Sequence, residues 1–303
     1  ILQTTPDEPN ALHVLGVLAL ERGHPDRAIQ LIGRAVARVP GLASAHGNLA
    51  NAYRAARRFA EAGDSYRRAI ALQSDVAPVH TNYGLLLYET GDLAAALTHC
   101  LRAAELDPGN ADVQNNLGNV YRAQGKLDLA EAALRKAATL RPDRADLQVN
   151  LGNLLLDLRR AEDAILAYRR AIQLRPAMAG AQYGLGLSLR LVGDVEGEIA
   201  CYRAAIALAP DQALYWNDLG RALRAQGRFE EAADAFRKVL AIDPDFADAL
   251  RNLVSLRQQG TADADIARLA ALGEQSSLPV EQRVAAGFAL GKVRDYADRF
   301  DGA

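Results

Sequence analysis

The stretch ALYWNDLGRALRAQGRFEEAADAFRKVLAIDPDF, residues 213–246, decides the fold because versions of it follow one another along most of the chain. Prolines mark the period of 34 residues, and Ser74 fills the one vacancy in the series. The prolines are Pro6, Pro40, Pro108, Pro142, Pro176, Pro210 and Pro244. Such a strict period predicts one supersecondary motif stacked many times, and not a globular domain around a buried catalytic centre.

Small residues keep the same period. If the proline is numbered position 32 of each repeat, positions 8, 20 and 27 are glycine or alanine, with Glu198 and Val239 as exceptions at positions 20 and 27. Position 8 holds Gly16, Ala50, Gly84, Gly118, Gly152, Gly186 and Gly220. Two antiparallel helices approach closely only where side chains are small. We therefore expect positions 8 and 20 to meet within a helix pair, and position 27 to meet the next pair.

The residues between these positions read as two helices per repeat. In the fourth repeat, apolar residues at helical spacing predict a first helix up to Ala123, and Gly125 ends it. Residues 127–140 form the second helix, which Pro142 terminates. Arg57 and Arg159 replace the turn glycine in two repeats, at little cost if those turns avoid positive φ.

The pattern resembles the tetratricopeptide repeat family. Its signature is most complete in Trp216, Leu219, Gly220, Ala232, Phe236 and Pro244. The resemblance implies an all-α fold, a right-handed superhelix of antiparallel helix pairs, with first helices on the concave face. We expect residues 1–8 to end a preceding repeat, 9–246 to form seven repeats of 34 residues, 247–283 to be a degenerate repeat and link, and 284–303 to start a further, truncated repeat-like segment.

Composition and the absence of known motifs narrow the classes of function that the sequence indicates. The chain has 303 residues and a net charge of −2, which gives no case for nucleic acid or membrane partners, and no apolar run reaches the length of a membrane span. Cys100 and Cys201 fall three repeats apart and are expected to be free thiols that fill apolar space, which suits a cytoplasmic protein. The histidines are scattered, with His46 and His80 sharing position 4, and no nucleotide, metal or nucleophile motif is present. We expect no cofactor and no catalysis by this chain.

Asparagine recurs on the first helices, at position 6 and again at position 9. Position 6 holds Asn48, Asn82, Asn116, Asn150 and Asn252, and position 9 holds Asn51, Asn119 and Asn153. An amide offers donors and an acceptor to the backbone of an extended peptide. The ladder resembles that of O-linked N-acetylglucosamine transferase repeats, which implies backbone contacts from Asn48, Asn82, Asn116 and Asn150. The alternative is that these amides bond neighbouring helices or water.

Position 12 contributes arginines and position 5 one aromatic residue. The arginines are Arg54, Arg122, Arg190 and Arg224. They could meet an acidic partner, or they could be solvated charges at helix ends. Tyr183 could anchor a partner side chain, whereas Trp216 fits a core position of the repeat.

These features predict a scaffold that holds an extended protein segment or peptide, with some preference for acidic sequence, in a concave groove. One alternative is the recognition arm of a larger glycosyltransferase or sulfotransferase with its catalytic domain beyond Ala303. The segment "DIARLAAL…LP…R…FALGK…RFDGA" resembles bacterial repeat-containing sulfotransferases. Another alternative is a homo-oligomer formed through the exposed ends of the array.

Overall fold

The computed structural model describes residues 8–256 and five isolated positions after them: 270, 271, 274, 287 and 291. Most of the predicted segments 1–8, 247–283 and 284–303 lies outside the described residues. Residues 8–256 form fifteen α-helices. The first helices of the pairs are α1 (Pro9–Glu21), α3 (Ala43–Ala55), α5 (Ala77–Glu89), α7 (Ala111–Ala123), α9 (Ala145–Asp157), α11 (Ala179–Val192), α13 (Ala213–Ala225) and α15 (Ala247–Leu256). The second helices are α2 (Pro25–Arg38), α4 (Phe59–Leu72), α6 (Leu93–Leu106), α8 (Leu127–Leu140), α10 (Ala161–Leu174), α12 (Val195–Leu208) and α14 (Phe229–Ile242).

The helices follow the sequence period without a slip. Each first helix starts 34 residues after the one before it, from Pro9 to Ala247, and so does each second helix, from Pro25 to Phe229. The predicted fold class, all-α and built from antiparallel helix pairs, is confirmed for the described part of the chain.

The chain divides into two compact units within α9, and each is considered by itself. The N-terminal unit comprises residues 1–154 and the C-terminal unit residues 155–303. Within each unit a first helix packs on its own second helix, and that second helix packs on the next first helix. Each unit is therefore a stack of hairpins whose apolar faces are buried by their neighbours.

The small residues lie where the helices of a pair meet, as predicted. A β-carbon on Gly118 would stand 2.6 Å from Cγ of Leu134, and one on Gly220 would stand 2.7 Å from Cε1 of Phe236. These partners are at position 24 of the same repeat. Position 24 also supplies the largest fully buried side chains: Tyr66, Tyr168, Tyr202 and Phe236.

The turns inside the hairpins use left-handed backbone geometry. Five turns have glycine at positive φ, including Gly125 at 73° and Gly193 at 81°. Arg57 and Arg159 adopt the same geometry, with φ of 58° and 59°. The condition under which these two arginines would cost little, a turn without positive φ, is therefore not met. The hairpin requires left-handed geometry whichever residue stands there, and a side chain with a β-carbon makes it less favourable.

Candidate functional site

Consecutive first helices form a continuous surface within each unit. In the N-terminal unit α1 contacts α3, α3 contacts α5, and α5 contacts α7, and in the C-terminal unit α13 contacts α15. Among the helices described within one unit, no two second helices are in comparable contact. The first helices are therefore the more closely spaced layer of each unit, and we call their shared surface the first-helix surface.

The asparagines at position 6 bond across this surface to position 5 of the preceding repeat. Asn48 Nδ2 lies 2.8 Å from Nε2 of His13, and Asn150 Nδ2 donates to Oδ1 of Asn115 at 2.8 Å. Asn116, which is buried, donates to the backbone oxygen of Thr81 at 3.4 Å. These three amides bond neighbouring helices, which was the alternative interpretation of the ladder. Each of these bonds uses the amide nitrogen and leaves the amide oxygen for other partners.

Other asparagines of the two rows differ in what they bond. Asn82 and Asn119 are half-buried on α5 and α7, and their side chains have no hydrogen-bond partner within the described residues. At position 9, Asn51 accepts a hydrogen bond from the Tyr66 hydroxyl, and Asn153 is likewise engaged in an interaction. The N-terminal unit therefore presents two unpaired amides and the free oxygens of three more.

The predicted arginines at position 12 are mostly engaged within the chain. Arg54 makes an ion pair of 2.8 Å with Glu89 of the next first helix, and Arg122 also has an interaction partner. Arg224 donates to Oδ1 of Asn252 at 2.9 Å. Arg190 is exposed and forms no salt bridge within residues 8–256. Only Arg190 among the four is thus available to a partner without breaking a contact of its own.

Tyr183 lies on the first-helix surface of the C-terminal unit, where sequence placed it. Its hydroxyl donates to Oδ2 of Asp218 at 2.7 Å, and its ring stacks on Tyr215 with centroids 4.6 Å apart. This bond again joins position 5 to position 6 of the next repeat. Asp218 replaces the usual asparagine, and its second oxygen accepts from Arg221 at 3.4 Å.

A second carboxyl group lies close to this pair. Glu198 on α12 is 4% exposed and stands at position 20, where alanine otherwise contacts the first helix. Burial is the main cause that raises the pKa of Glu198; the charge of Asp218 adds to the rise, and the charges of Arg190 and Arg221 act against it. The Tyr202 hydroxyl is buried beside them, and its interaction with the Glu198 carboxyl lowers the pKa of that carboxyl. Within the described residues the Tyr202 hydroxyl nevertheless forms no hydrogen bond of good geometry.

Position 4 carries a structural role that the sequence did not reveal in detail. His46 Nε2 lies 3.0 Å from the carbonyl of Pro40, and His80 Nε2 lies 2.8 Å from that of Ser74. Trp216 Nε1 donates to the carbonyl of Pro210 at 2.8 Å. All three bond the carbonyl at position 32 of the preceding repeat, which lies in the turn just after a second helix. His46, His80 and Trp216 therefore have a structural role, and the signal in the sequence was an N–H donor at one repeat position.

The remaining reactive groups among the described residues are two thiols and a pair of histidines. Cys100 is buried, with its thiol pKa raised to about 12 by burial, and Cys201 is half-buried; both are free thiols. His80 and His99 pair through their Nδ1 atoms at 2.9 Å. The described residues contain no group of three or more side chains able to hold a metal ion. None of the described helices has the length and apolar character needed to cross a bilayer.

Models of known protein families match nearly the whole described chain. Family models described as tetratricopeptide repeat match residues 13–77, 115–179 and 149–213, residues 75–143, and residues 213–246. No curated protein matches the chain. The comparisons give no support for the resemblance to O-linked N-acetylglucosamine transferase or to sulfotransferases.

Three solved structures illustrate the similarity of the fold. YrrB, "a TPR protein with an unusual peptide-binding site", is 25% identical, with 62% of this chain and 97% of that chain covered and a TM-score of 0.51. PilF of Pseudomonas aeruginosa is 25% identical, with 68% and 94% covered and a TM-score of 0.61. The APC/C hetero-tetramer Cut9–Hcn1 is 18% identical, with 84% and 51% covered and a TM-score of 0.71, and it supports the fold alone.

Proposed function

The chain belongs to the tetratricopeptide repeat family, and from this we propose that it is a protein-binding scaffold that holds an extended polypeptide against the first-helix surface. The partner's backbone lies across the first helices of the N-terminal unit. The amide side chains at positions 6 and 9 bond to its C=O and N–H groups.

One observation carries this proposal. Asn82 and Asn119 are half-buried on helices that contact each other, and both lack a hydrogen-bond partner within the described residues. A half-buried amide without a partner loses hydration without a compensating bond, so a ligand that supplies one is favoured. The oxygens of Asn48, Asn116 and Asn150 extend the row on either side. Asparagine is also a mediocre helix former, so helix stability does not explain its recurrence.

The comparison with YrrB agrees with this proposal, because that protein is described as having a peptide-binding site and is 25% identical. The geometry gives less support to a preference for acidic partners. Arg54 and Arg224 already bond within the chain, so such a preference rests on Arg190. The proposal needs no cofactor and assigns no catalytic step to the chain.

The experiment selects peptides from a library of unstructured, phage-displayed sequences with the intact chain and then compares two variants. Asn82→Ala with Asn119→Ala removes the two unpaired amides. Gln30→Ala removes an exposed amide from the second helix α2. Each lost hydrogen bond is worth about 0.5–1.5 kcal/mol, so we expect the double variant to bind selected peptides roughly tenfold more weakly.

The control variant should bind as the parent does, and circular dichroism should show unchanged helicity in both. Because Asn82 and Asn119 make no bond in the described chain, their removal should leave the melting temperature nearly unchanged. Equal affinity of parent and double variant would refute the role of the amides.

A further inference from the structure

We propose that the C-terminal unit holds a niche for one cationic side chain of a polypeptide partner, an arginine or a lysine. The niche is formed by Tyr183, Glu198, Tyr202 and Asp218, from α11, α12 and α13. This inference rests on the proposed function and adds the chemistry of one partner residue to it.

The niche arises where two departures from the repeat pattern come together. Asp218 stands at position 6, where five other repeats have asparagine, and Glu198 stands at position 20, where six other repeats have alanine. The two residues are 5% and 4% exposed. Buried carboxylates are costly unless an opposite charge or hydrogen bonds compensate them. Two buried carboxyl groups close to the contact between α11 and α13 therefore require hydrogen-bond donors or positive charge to compensate them.

The chain supplies only part of that compensation. Asp218 accepts one short hydrogen bond, from Tyr183, and one long one of 3.4 Å from Arg221. The Tyr202 hydroxyl compensates Glu198 only in part, because its interaction with the carboxylate lowers the pKa of Glu198 without outweighing burial. The Tyr202 hydroxyl, on a side chain that is 0% exposed, forms no hydrogen bond of good geometry within the described residues. Two partly compensated carboxylates beside this buried hydroxyl favour a ligand that brings several N–H donors.

The ring faces around the carboxylates also suit a cation. Tyr183 stacks on Tyr215, and its ring centroid lies 5.6 Å from that of Tyr202. Tyr183 and Tyr215 are half-buried, so both can be reached from the first-helix surface. An ammonium or guanidinium group over a tyrosine face is attracted by the ring in addition to the carboxylates.

The charged groups that face the niche are Arg190 on α11, Glu198 on α12, and Asp218 and Arg221 on α13. Both arginines are exposed, and neither forms an ion pair with Glu198 within residues 8–256. Burial is the main cause of the raised pKa of Glu198, and the charges of Arg190 and Arg221, which act against it, do not restore the ordinary value. A partner cation would add its positive charge to theirs.

The experiment uses small probes, so that it does not depend on the identity of the partner. N-acetyl-arginine N-methylamide is titrated into the intact chain with isotope-labelled tyrosine, and the ring resonances are followed by NMR. N-acetyl-citrulline N-methylamide, which has the same shape without the charge, and the glutamate analogue are the controls. We expect the arginine probe to shift the resonances of Tyr183 and Tyr215, and the two controls to leave them in place.

The matched variants restore the repeat pattern and are therefore expected to fold. Glu198→Ala introduces the alanine of the other repeats, and Asp218→Asn introduces their asparagine. We expect each to weaken arginine binding by roughly tenfold, since one of two anionic partners is lost. We also expect an equal or higher melting temperature. A purely structural role for the two carboxylates would instead lower the melting temperature.

The inference is overturned if the arginine probe fails to bind, if citrulline or glutamate binds equally well, or if a variant that combines Glu198→Ala with Asp218→Asn binds arginine as the parent does. Peptide selection with this combined variant separates the result from the proposed function. If the combined variant still selects peptides through its asparagines while the arginine probe does not bind the parent, only the niche is wrong. If the parent selects no peptides at all, the scaffold function fails independently of the niche.

Discussion

Replacement of Gly118 by alanine tests the close approach of helices on which the whole stack depends. The new β-carbon would stand 2.6 Å from Cγ, 2.8 Å from Cδ2 and 3.3 Å from the backbone nitrogen of Leu134. Carbon atoms in contact prefer a separation of about 3.5–4.0 Å, so Leu134 must move. Leu134 is completely buried, and its displacement disturbs the surrounding packing.

The magnitude is the difference between two opposing effects. Overpacking a well-filled core costs about 1–3 kcal/mol. Alanine in place of glycine in a helix interior recovers about 0.8–1.0 kcal/mol. We therefore expect Gly118→Ala to destabilise the chain by up to about 2 kcal/mol.

Gly33 in α2 is the matched control, because it lies inside a helix with no atom within 4 Å of its potential β-carbon. Gly33→Ala should gain the helix preference without the clash and stabilise the chain by nearly 1 kcal/mol. The two variants should thus differ by about 1–3 kcal/mol in opposite directions from the parent.

Urea unfolding followed by circular dichroism measures this difference. A stacked array can unfold in steps, so the midpoints are compared only where the parent and both variants give the same slope with denaturant. If Gly118→Ala is as stable as Gly33→Ala, position 8 does not limit the approach of the two helices and the packing argument is wrong.

Two further predictions concern the turns and the buried acid. Arg159→Gly should raise the thermal midpoint by an amount equivalent to about 0.5–1 kcal/mol, because glycine adopts positive φ without the steric penalty of a β-carbon. The greater conformational entropy that glycine gives the unfolded chain offsets only part of this gain. Arg57→Gly should gain less stability, since it also loses the contact of the Arg57 guanidinium with the Phe59 ring, whose centroid is 5.3 Å away. A thermal midpoint of Arg159→Gly below that of the parent would contradict the predicted cost of positive φ at this turn. The pKa of Glu198 is raised in the folded state, so the folded chain binds the proton of this carboxyl more tightly than the unfolded chain does. The free energy of unfolding of the parent should therefore fall as pH rises from the ordinary glutamate range through the raised pKa. Glu198→Gln removes this fall, so its melting temperature relative to the parent should increase across that window and then level off; a difference independent of pH would count against the raised pKa.

The repeating part of the fold was predictable because its signals recur. In the fourth repeat the predicted second helix, 127–140, coincides with α8. The close approach of the helices at Gly118 follows from steric limits that the sequence expresses directly, but the side chain that meets Gly118 is at position 24 and not at the predicted position 20. The conformation of Arg57 and Arg159 was not predicted, because it depends on how the hairpin closes and not on the preference of the residue there.

For the candidate site, the sequence predicted which helices carry the residues but not what their side chains bond to. Sequence placed the asparagines on the first helices, but their bonds join residues 35 apart, as between Asn150 and Asn115, and these pairs depend on how the helices are offset. Glu198 was visible only as an exception to alanine. Its proximity to Asp218 and Tyr202 depends on the spacing of three helices, which no local pattern contains.

The offset of one residue beyond the period has an evolutionary consequence. The bonds from Asn48 to His13, from Asn150 to Asn115 and from Tyr183 to Asp218 all span 35 residues. Duplication or deletion of a whole repeat preserves these hydrogen-bonded pairs, since it changes the number of repeats and not their length. A single-codon insertion inside a helix shifts the residues after it away from their partners on both neighbouring helices. Lineages of this array should therefore vary in length by multiples of 34 residues, while isolated insertions and deletions collect in the turns between helices.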